Sequence, residues 1–383
     1  MRSRMRPEHY LSEAVFAREQ ELLFRRLWIF FGFKTLLARH NDYLERSIGG
    51  VPVVVQNFNG ELKAFENVCL HRQARIQTGM SGRRPLLCRY HGWGYDAAGR
   101  PENIPFHDDI YRFGAGERAA LCLRQFALKT VGNAVFVNLA AEPIPMAWQF
   151  SAPFMDSLRS CSESWDEEII FGRMPGRYNW KLAFENLRDG NHPRFVHPST
   201  LAKHVTFQAP VDEAALAAVE AAAAGTPGPR ERREQLRGFS FGVPDAPLGP
   251  RPAYDWHEHV ERWPEGGDYY YNWLAYPNLH IASPDGGYSF TIERHVPVAP
   301  GQSELLVWWV LARKKDRYPA SPAVLHAMML GGRPVLEEDI RVMELVQSGL
   351  HADAPIASQG AYEYLSRGVE QWYSDLMDGR FEF

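Results

Sequence analysis

Residues 69–91 read CLHRQARIQTGMSGRRPLLCRYH, the most informative stretch of the chain. It holds Cys69-x-His71, sixteen intervening residues and then Cys88-x-x-His91, so each end offers one thiolate and one imidazole. A structural zinc site is one interpretation, but zinc motifs usually place Cys-x₂₋₄-Cys before His-x₃₋₅-His. Here each half is mixed instead, which suits a [2Fe–2S] cluster in which two histidines replace two cysteines on one iron.

This pattern resembles the Rieske family, and the continuation Gly92-Trp93-Gly94-Tyr95 is similar to its oxygenase branch. Respiratory-chain members of the family carry two further cysteines in a disulfide. Ala74 and Tyr90 stand at the corresponding positions, which argues against that branch. The resemblance implies a Rieske [2Fe–2S] cluster held by Cys69, His71, Cys88 and His91.

A second constellation lies in residues 179–198, NWKLAFENLRDGNHPRFVHP. We expect a helix from Trp180 to His192, with Asp189 and His192 as neighbours on one face because they are three residues apart. Pro193 disfavours a straight continuation, and the break could return His197 to the side of His192.

The same segment resembles the signature of Rieske non-haem iron oxygenases, which Glu185, Asn186, Asp189, His192 and His197 all match. The resemblance implies that His192 and His197 bind a mononuclear Fe(II).

A facial triad of two histidines and one carboxylate leaves positions open for O₂ and substrate. In the family the carboxylate is an aspartate from a late helix, and Asp339 aligns with it. The adjacent Glu338 is the alternative, because neighbouring acids leave the register open.

Asp189 is expected to act differently from the ligands. From its position, its carboxylate can accept a hydrogen bond from the ring of His192. The resemblance further implies that Asp189 bridges to a Rieske histidine of a neighbouring subunit, here His91, in a head-to-tail trimer. Quaternary-amine demethylases of the family often carry Glu at this position, so Asp189 favours the other branches.

Composition limits the remaining possibilities. The 383 residues carry a formal charge of −4, with 45% hydrophobic and 23% charged residues, which excludes dominant disorder. No basic surplus favours nucleic acid or an anionic membrane. The sequence shows no apolar stretch of the kind that forms a secretion signal or a membrane span. Four cysteines do not form a disulfide framework, so we expect a cytoplasmic protein.

The expected fold class is α+β. Residues 1–40 are interpreted as an N-terminal helical segment packing on the catalytic domain. Residues 41–150 form an antiparallel β Rieske domain, and residues 151–383 a mononuclear-iron catalytic domain with an antiparallel sheet covered by helices, of helix-grip or START-like type. An Ala-rich helix is expected at 212–224.

The resemblance implies the terminal oxygenase component (alpha subunit) of a multicomponent Rieske oxygenase. It would use O₂ and electrons from NAD(P)H, through a reductase with or without a ferredoxin, to hydroxylate or dihydroxylate an aromatic or other small organic substrate. The alternatives are oxidative N- or O-demethylation and, from another class, a zinc-stabilised ligand-binding protein. We expect a homotrimer without a β subunit.

The substrate-binding residues are not identified by any motif. Apolar residues near the iron motif indicate an apolar pocket, although core packing explains them equally well: Phe184, Phe195, Val196, Leu201 and Phe207. Arg188 and Arg194 flank the ligands and could anchor a substrate carboxylate, the alternative being ordinary ion pairs.

Overall fold

The computed structural model describes residues 2–203, 246–248, 254–352, 356–360 and 363–379. The chain forms two compact units, one of residues 23–144 and one of residues 1–22 with 145–383. The domain bounds expected from the sequence, at residues 40 and 150, stay predictions. The expected Ala-rich helix at 212–224 lies outside the described residues.

The N-terminal segment begins with helices α1 (Pro7–Leu11) and α2 (Glu13–Glu19), followed by a π-helical turn at Gln20–Phe24. Ser12 caps α2, because its side chain accepts a hydrogen bond from the backbone of Val15. Such a cap satisfies one of the free N–H groups at a helix start.

The unit of residues 23–144 is built on a seven-stranded antiparallel sheet of order β1-β9-β8-β4-β3-β2-β5. Its strands are β1 (Ile29–Phe33), β2 (Asp42–Ile48), β3 (Val51–Phe58), β4 (Glu61–Glu66), β5 (Ser81–Arg83), β8 (Gln125–Val131) and β9 (Ala134–Asn138). A two-stranded sheet, β6 (Gly94–Tyr95) with β7 (Pro101–Asn103), follows the second Cys-His pair. Short helical segments lie at Lys34–Leu37, His107–Tyr111 and α3 (Ala115–Ala120).

The turn between β3 and β4 follows directly from its sequence. Asn59 and Gly60 both have positive φ, 53° and 97°, and Phe58 pairs with Glu61 across the turn. A two-residue hairpin loop needs this conformation at both positions, and Asn-Gly adopts it readily. Asn59-Gly60 therefore forms a two-residue hairpin loop.

The second unit contains a six-stranded antiparallel sheet of order β10-β15-β14-β13-β12-β11. Its strands are β10 (Trp165–Gly176), β11 (Ala246–Pro247), β12 (Tyr269–Ala275), β13 (Leu279–Ser283), β14 (Ser289–Ala299) and β15 (Gln302–Ala312). The helices are α4 (Met146–Gln149), α5 (Ala152–Glu163), α6 (Trp180–Arg188), α7 (Pro193–Val196), α8 (Ser321–Gly349) and α9 (Tyr364–Met377), with 3₁₀ turns at Leu201–Lys203 and Asp255–His259.

Helix α8 packs against β10, β15 and α6, so one sheet face is covered by helices. The predicted α+β class, with an antiparallel sheet in each part of the chain, is confirmed. No helix in the described parts of the chain combines the length and apolar character that a membrane span requires.

Candidate metal centres

The two Cys-His pairs occupy two loops with the same backbone hydrogen bonds. In the first loop the amide of Cys69 donates to the carbonyl of Ala74 and the amide of Gln73 donates back to Cys69. In the second loop, the amide of Cys88 donates to the carbonyl of Trp93, and the amide of Gly92 donates to the carbonyl of Cys88. Gln73 and Gly92, at the equivalent fourth position after each cysteine, both have left-handed φ, 60° and 73°. The loops are therefore related by an approximate internal symmetry that presents their donors to one place.

The four side chains meet at the tips of these loops. Cys69 and Cys88 are buried, and the rings of His71 and His91 lie edge to face with their centroids 4.4 Å apart. Nδ1 of His91 is buried without a hydrogen-bond partner among the described residues. An imidazole nitrogen in that position is costly unless a group binds it, so the site fits a metal ligand there.

The distances between the ligand atoms of the two Cys-His pairs distinguish a site for one metal ion from a site for two. Donors of a tetrahedral zinc ion lie within about 4 Å of one another, given Zn–S bonds of about 2.3 Å. No three of these four side chains bring ligand atoms within 4.8 Å of one another. That separation suits a cluster whose cysteines and histidines bind different irons.

The second centre brings together three side chains from two elements. His192, His197 and Asp339 each place a ligand atom within 4.8 Å of the others. Asp339 Oδ1 lies 3.0 Å from His197 Nε2 and 3.5 Å from His192 Nε2. This grouping of two imidazoles and one carboxylate could hold a single metal ion.

The helix that carries the first part of this motif is shorter than predicted. Helix α6 ends at Arg188, not His192, because Asp189 is extended, with φ −85° and ψ 101°. His192 then precedes the short helix α7, which begins at Pro193. This break brings the rings of His192 and His197 to a centroid distance of 5.4 Å, as the proline suggested.

The expected contact of Asp189 with His192 is also corrected. His192 Nδ1 donates to the backbone carbonyl of Asp189 at 2.7 Å, while the carboxylate oxygen Oδ2 is 3.8 Å away. That carboxylate instead accepts from the amide of Asn191 at 2.8 Å. The extended backbone of Asp189 turns its carbonyl to the ring, so the side chain stays available for another partner.

Glu338 occupies a supporting position. Its Oε2 lies 2.7 Å from His197 Nδ1 and accepts a hydrogen bond from the hydroxyl of Thr200 at the same distance. His197 thus faces Asp339 with one nitrogen and Glu338 with the other. Such a carboxylate fixes the orientation of a metal-binding ring.

Electrostatics reinforces this arrangement. Burial raises the pKa of Asp339, but hydrogen bonds and charges of His192 and His197 outweigh it and lower that pKa to about 2. Burial likewise lowers the pKa of His197, but Asp339 and Glu338 outweigh it, so the pKa of His197 is raised. The carboxylate is therefore ionised at neutral pH, as a metal ligand must be.

The contacts that hold Asp339 in place were not predicted from the sequence, although Asn186 is part of the motif. Asn186 donates to Asp339 Oδ1 at 2.8 Å. Two residues further along α8 also accept hydrogen bonds. The side chain of Glu344 accepts from the backbone amide of Arg177, and the side chain of Gln347 accepts from the backbone amide of Asn179. Asn179 caps α6, so these bonds fix α8 against the start of the helix that leads to His192. The Glu-x-x-Gln spacing on α8 was the available signal.

A cavity adjoins the three side chains. It is lined by Leu187, Asp189, Gly190, His192, Pro193, His197, Leu201, Tyr270, Asn272, His280, Ala282, Pro284, Thr291, Glu293, Gly332, Val335, Leu336 and Asp339.

The pocket residues expected from sequence are mostly placed elsewhere. Leu201 lines the cavity, but Phe195 is 75% exposed and Phe184 is buried against Tyr276. Phe207 lies outside the described residues. Arg188 packs its guanidinium 5.6 Å from the ring of Tyr276. Neither it nor Arg194 lines the cavity, so an anchoring role for these arginines is not supported.

Family models match both parts of the chain. The Rieske [2Fe-2S] domain matches residues 28–124. The catalytic domain of the ring-hydroxylating alpha subunit matches residues 164–379, more than half of the chain. The chain belongs to the ring-hydroxylating alpha-subunit family. As a Rieske protein of this family it carries a [2Fe–2S] cluster and a mononuclear iron, which replaces the zinc interpretation.

Individual relatives of this alpha subunit catalyse more than one reaction. The chain is 31% identical over 209 residues to the glycine betaine monooxygenase oxygenase subunit of Chromohalobacter salexigens, covering 52% of this chain and 44% of the relative. It is 36% identical over 192 residues to the biphenyl 2,3-dioxygenase subunit alpha of Rhodococcus jostii, covering 48% and 40%. The matched region thus spans less than half the length of these curated relatives.

Solved structures share the fold. The quaternary ammonium Rieske monooxygenase CntA superposes with a TM-score of 0.69 at 18% identity, covering 97% of this chain and 95% of that one. Naphthalene 1,2-dioxygenase with bound indole superposes with a TM-score of 0.68 at 17% identity, covering 98% of this chain and 92% of that one.

Tyr95 contacts a cysteine of the first Cys-His pair in this alpha subunit. The Tyr95 hydroxyl lies 3.2 Å from Cys69 Sγ and accepts from the amide of Leu70 at 3.0 Å. Hydrogen bonds to cluster sulfur raise the reduction potential. We expect Tyr95→Phe to lower the potential by about 40 mV, equivalent to about 1 kcal/mol for one electron. Protein-film voltammetry measures it, and an unchanged potential would show that the hydroxyl does not act on the cluster.

A second prediction concerns Glu338. Glu338→Gln removes the charge that faces His197 but keeps the side-chain shape, so we expect iron affinity at the mononuclear site to fall about 10- to 100-fold. Competition with a calibrated Fe(II) chelator measures this affinity. Wild-type affinity in the variant would contradict an orienting role.

Proposed function

We propose that this chain is the terminal oxygenase component of a multicomponent Rieske oxygenase, which adds oxygen from O₂ to a small organic substrate. Electrons come from NAD(P)H through a reductase, with or without a ferredoxin. The observation that carries the proposal is the presence, in one chain, of a Cys₂His₂ loop pair and a convergent His192, His197 and Asp339 group next to a cavity.

The residues divide the work between two centres. In the proposal Cys69 and Cys88 hold one iron of the cluster and His71 and His91 hold the other. His192, His197 and Asp339 hold the mononuclear iron, which when bound supplies the activation of O₂.

The surrounding residues prepare the mononuclear site. Glu338 and the carbonyl of Asp189 each fix one imidazole ring, and Asn186 fixes the carboxylate of Asp339. Leu187, Leu201, Val335 and Leu336 line the adjoining cavity with apolar surface, which limits water near the reacting groups.

Asp189 is proposed as the link between the centres of neighbouring subunits, towards His91 of the next chain. Its side chain is 29% exposed and makes no hydrogen bond to the His192 ring, so the carboxylate is accessible to a partner. We propose a homotrimer without a β subunit, located in the cytoplasm.

Hydroxylation or dihydroxylation is favoured over demethylation of a quaternary amine. Aromatic side chains usually surround a quaternary ammonium group, yet Tyr270 is the single Phe, Tyr or Trp among the described residues that line the cavity.

The test is turnover of the iron-loaded protein with NADH, a reductase and a panel of aromatic compounds under ¹⁸O₂. The proposal expects product that carries ¹⁸O. Reduction of the cluster without labelled product from any compound would leave an electron carrier and contradict an oxygenase.

A further inference from the structure

The part of the cavity lining that comes from the sheet is polar where a hydrocarbon site would be apolar. Alternate residues of a strand face one side of a sheet, and the register places Ala282 opposite Asn272 and His280 opposite Glu293. Asn272, His280 and Glu293 therefore share the sheet face that lines the cavity. Their side chains form a connected row across three adjacent strands.

Ring nitrogens and side-chain oxygens lie within 3.5 Å of one another along the row. His280 Nδ1 lies 3.0 Å from Glu293 Oε1, and His280 Nε2 lies 3.0 Å from Asn272 Oδ1. On the other side of Glu293, His295 Nε2 lies 3.5 Å from Oε2. All four side chains are buried.

Burying this row is expensive for a fold that needs only an apolar face. A buried ion or ion pair loses its hydration, and apolar residues of similar volume are often as stable or more stable. Burial raises the pKa of Glu293, yet His280 and His295 outweigh it and lower that pKa to about 2. Polar groups maintained at such cost beside a reactive centre indicate a role in binding.

The geometry also limits what this wall can bind. Both oxygens of Glu293 face histidines, so the carboxylate is not free to pair with a substrate cation. Asn272 uses Oδ1 for His280, a contact that leaves its amide nitrogen unused, and its side chain lines the cavity. Within this row, the amide nitrogen of Asn272 is therefore the group that is left to bind a ligand.

The rest of the cavity supplies apolar contact. Leu187, Leu201, Val335 and Leu336 line it from helical elements. A ligand that satisfies both walls has an apolar body and one polar group at its edge.

We propose that the substrate is a mainly apolar small molecule carrying one neutral hydrogen-bonding group, a carbonyl or hydroxyl, and that Asn272, oriented by His280 and Glu293, anchors this group. The inference rests on the proposed function, since it places the anchored molecule beside the mononuclear iron. It names a substrate class distinct from both unsubstituted hydrocarbons and quaternary amines.

The test is calorimetric titration of the iron-loaded protein, without O₂ or reductant, with indane, indan-1-one and indan-1-ol, which share one framework. We expect at least one of the two oxygenated compounds to bind about tenfold tighter than indane, the effect of one good hydrogen bond. In Asn272→Leu, which keeps the side-chain size, the preference should fall below about threefold. In the control Val335→Ala all affinities should weaken while the preference remains.

Equal wild-type affinity for all three compounds, or no binding, overturns the proposal whatever the variants do. Tighter binding of choline than of either oxygenated compound also overturns it, because a cation would then be the preferred ligand. Binding is measured without turnover, so its result is separate from the ¹⁸O₂ experiment. Binding preference without labelled product contradicts the oxygenase alone, and labelled product without the preference contradicts the anchor alone.

Discussion

Asp339→Ala is expected to lose the mononuclear iron while keeping the cluster. Asp339 supplies the anionic donor of the three-residue group and lies 3.0 and 3.5 Å from the two histidine nitrogens. Two neutral imidazoles alone bind Fe(II) weakly, so iron content should fall from about three to about two per chain. Product formation should fall at least about a thousandfold, or about 4 kcal/mol. Metal analysis and the cluster's EPR signal provide the measurement.

Glu337→Gln is the matched control, because Glu337 belongs to the same run of three acidic residues, 337–339. Glu337 is on the surface, paired with Arg333 one turn earlier on α8, so its loss should leave the iron content at the wild-type value. Retention of about three irons by Asp339→Ala would contradict the assignment. Glu338 would then be the candidate third ligand, and loss of iron in Glu338→Ala would establish it.

Asp189→Asn is expected to keep both metal centres and lose turnover. The His192 ring is held by the backbone carbonyl of Asp189, not by its carboxylate, so the substitution leaves the ring's support intact. If the carboxylate links the centres of neighbouring subunits, its neutralisation should slow product formation at least about a hundredfold, equivalent to about 2.7 kcal/mol. The rate at which the reduced cluster is reoxidised, with O₂ and substrate present, measures this step.

The control for Asp189 is the metal content and EPR of the same variant. Both should match the wild type, because the backbone contact to His192 is unchanged. A variant with normal iron content and normal reoxidation would show that Asp189 is a structural side chain and that electrons follow another route.

The candidate metal-binding residues could be chosen from the sequence because their pattern is local. Cys69, His71, Cys88 and His91 lie in two short loops with equivalent hydrogen bonds, and their spacing reports that local geometry. Pro193 likewise marked the break before His197. The end of α6 was predicted too late because Asp189 leaves the helical conformation four residues before the proline, with Gly190 as the nearer signal.

The cavity wall could not be predicted, because it depends on strand register. Asn272, His280 and Glu293 come from three strands, and their meeting is set by pairings such as Leu274 with His280. A shift of one residue would turn each of these side chains to the opposite face. The supporting role of Glu338 was also hidden, since adjacent acids on a helix do not reveal which one faces His197.

EPR of the purified, dithionite-reduced protein, together with iron and zinc analysis of the same sample, tests the assignment of two iron centres to this chain. We predict a Rieske-type signal and about three irons per chain, two in the cluster and one in the His192, His197 and Asp339 group. A silent sample with about one zinc per chain would contradict it and leave a zinc-stabilised ligand-binding protein.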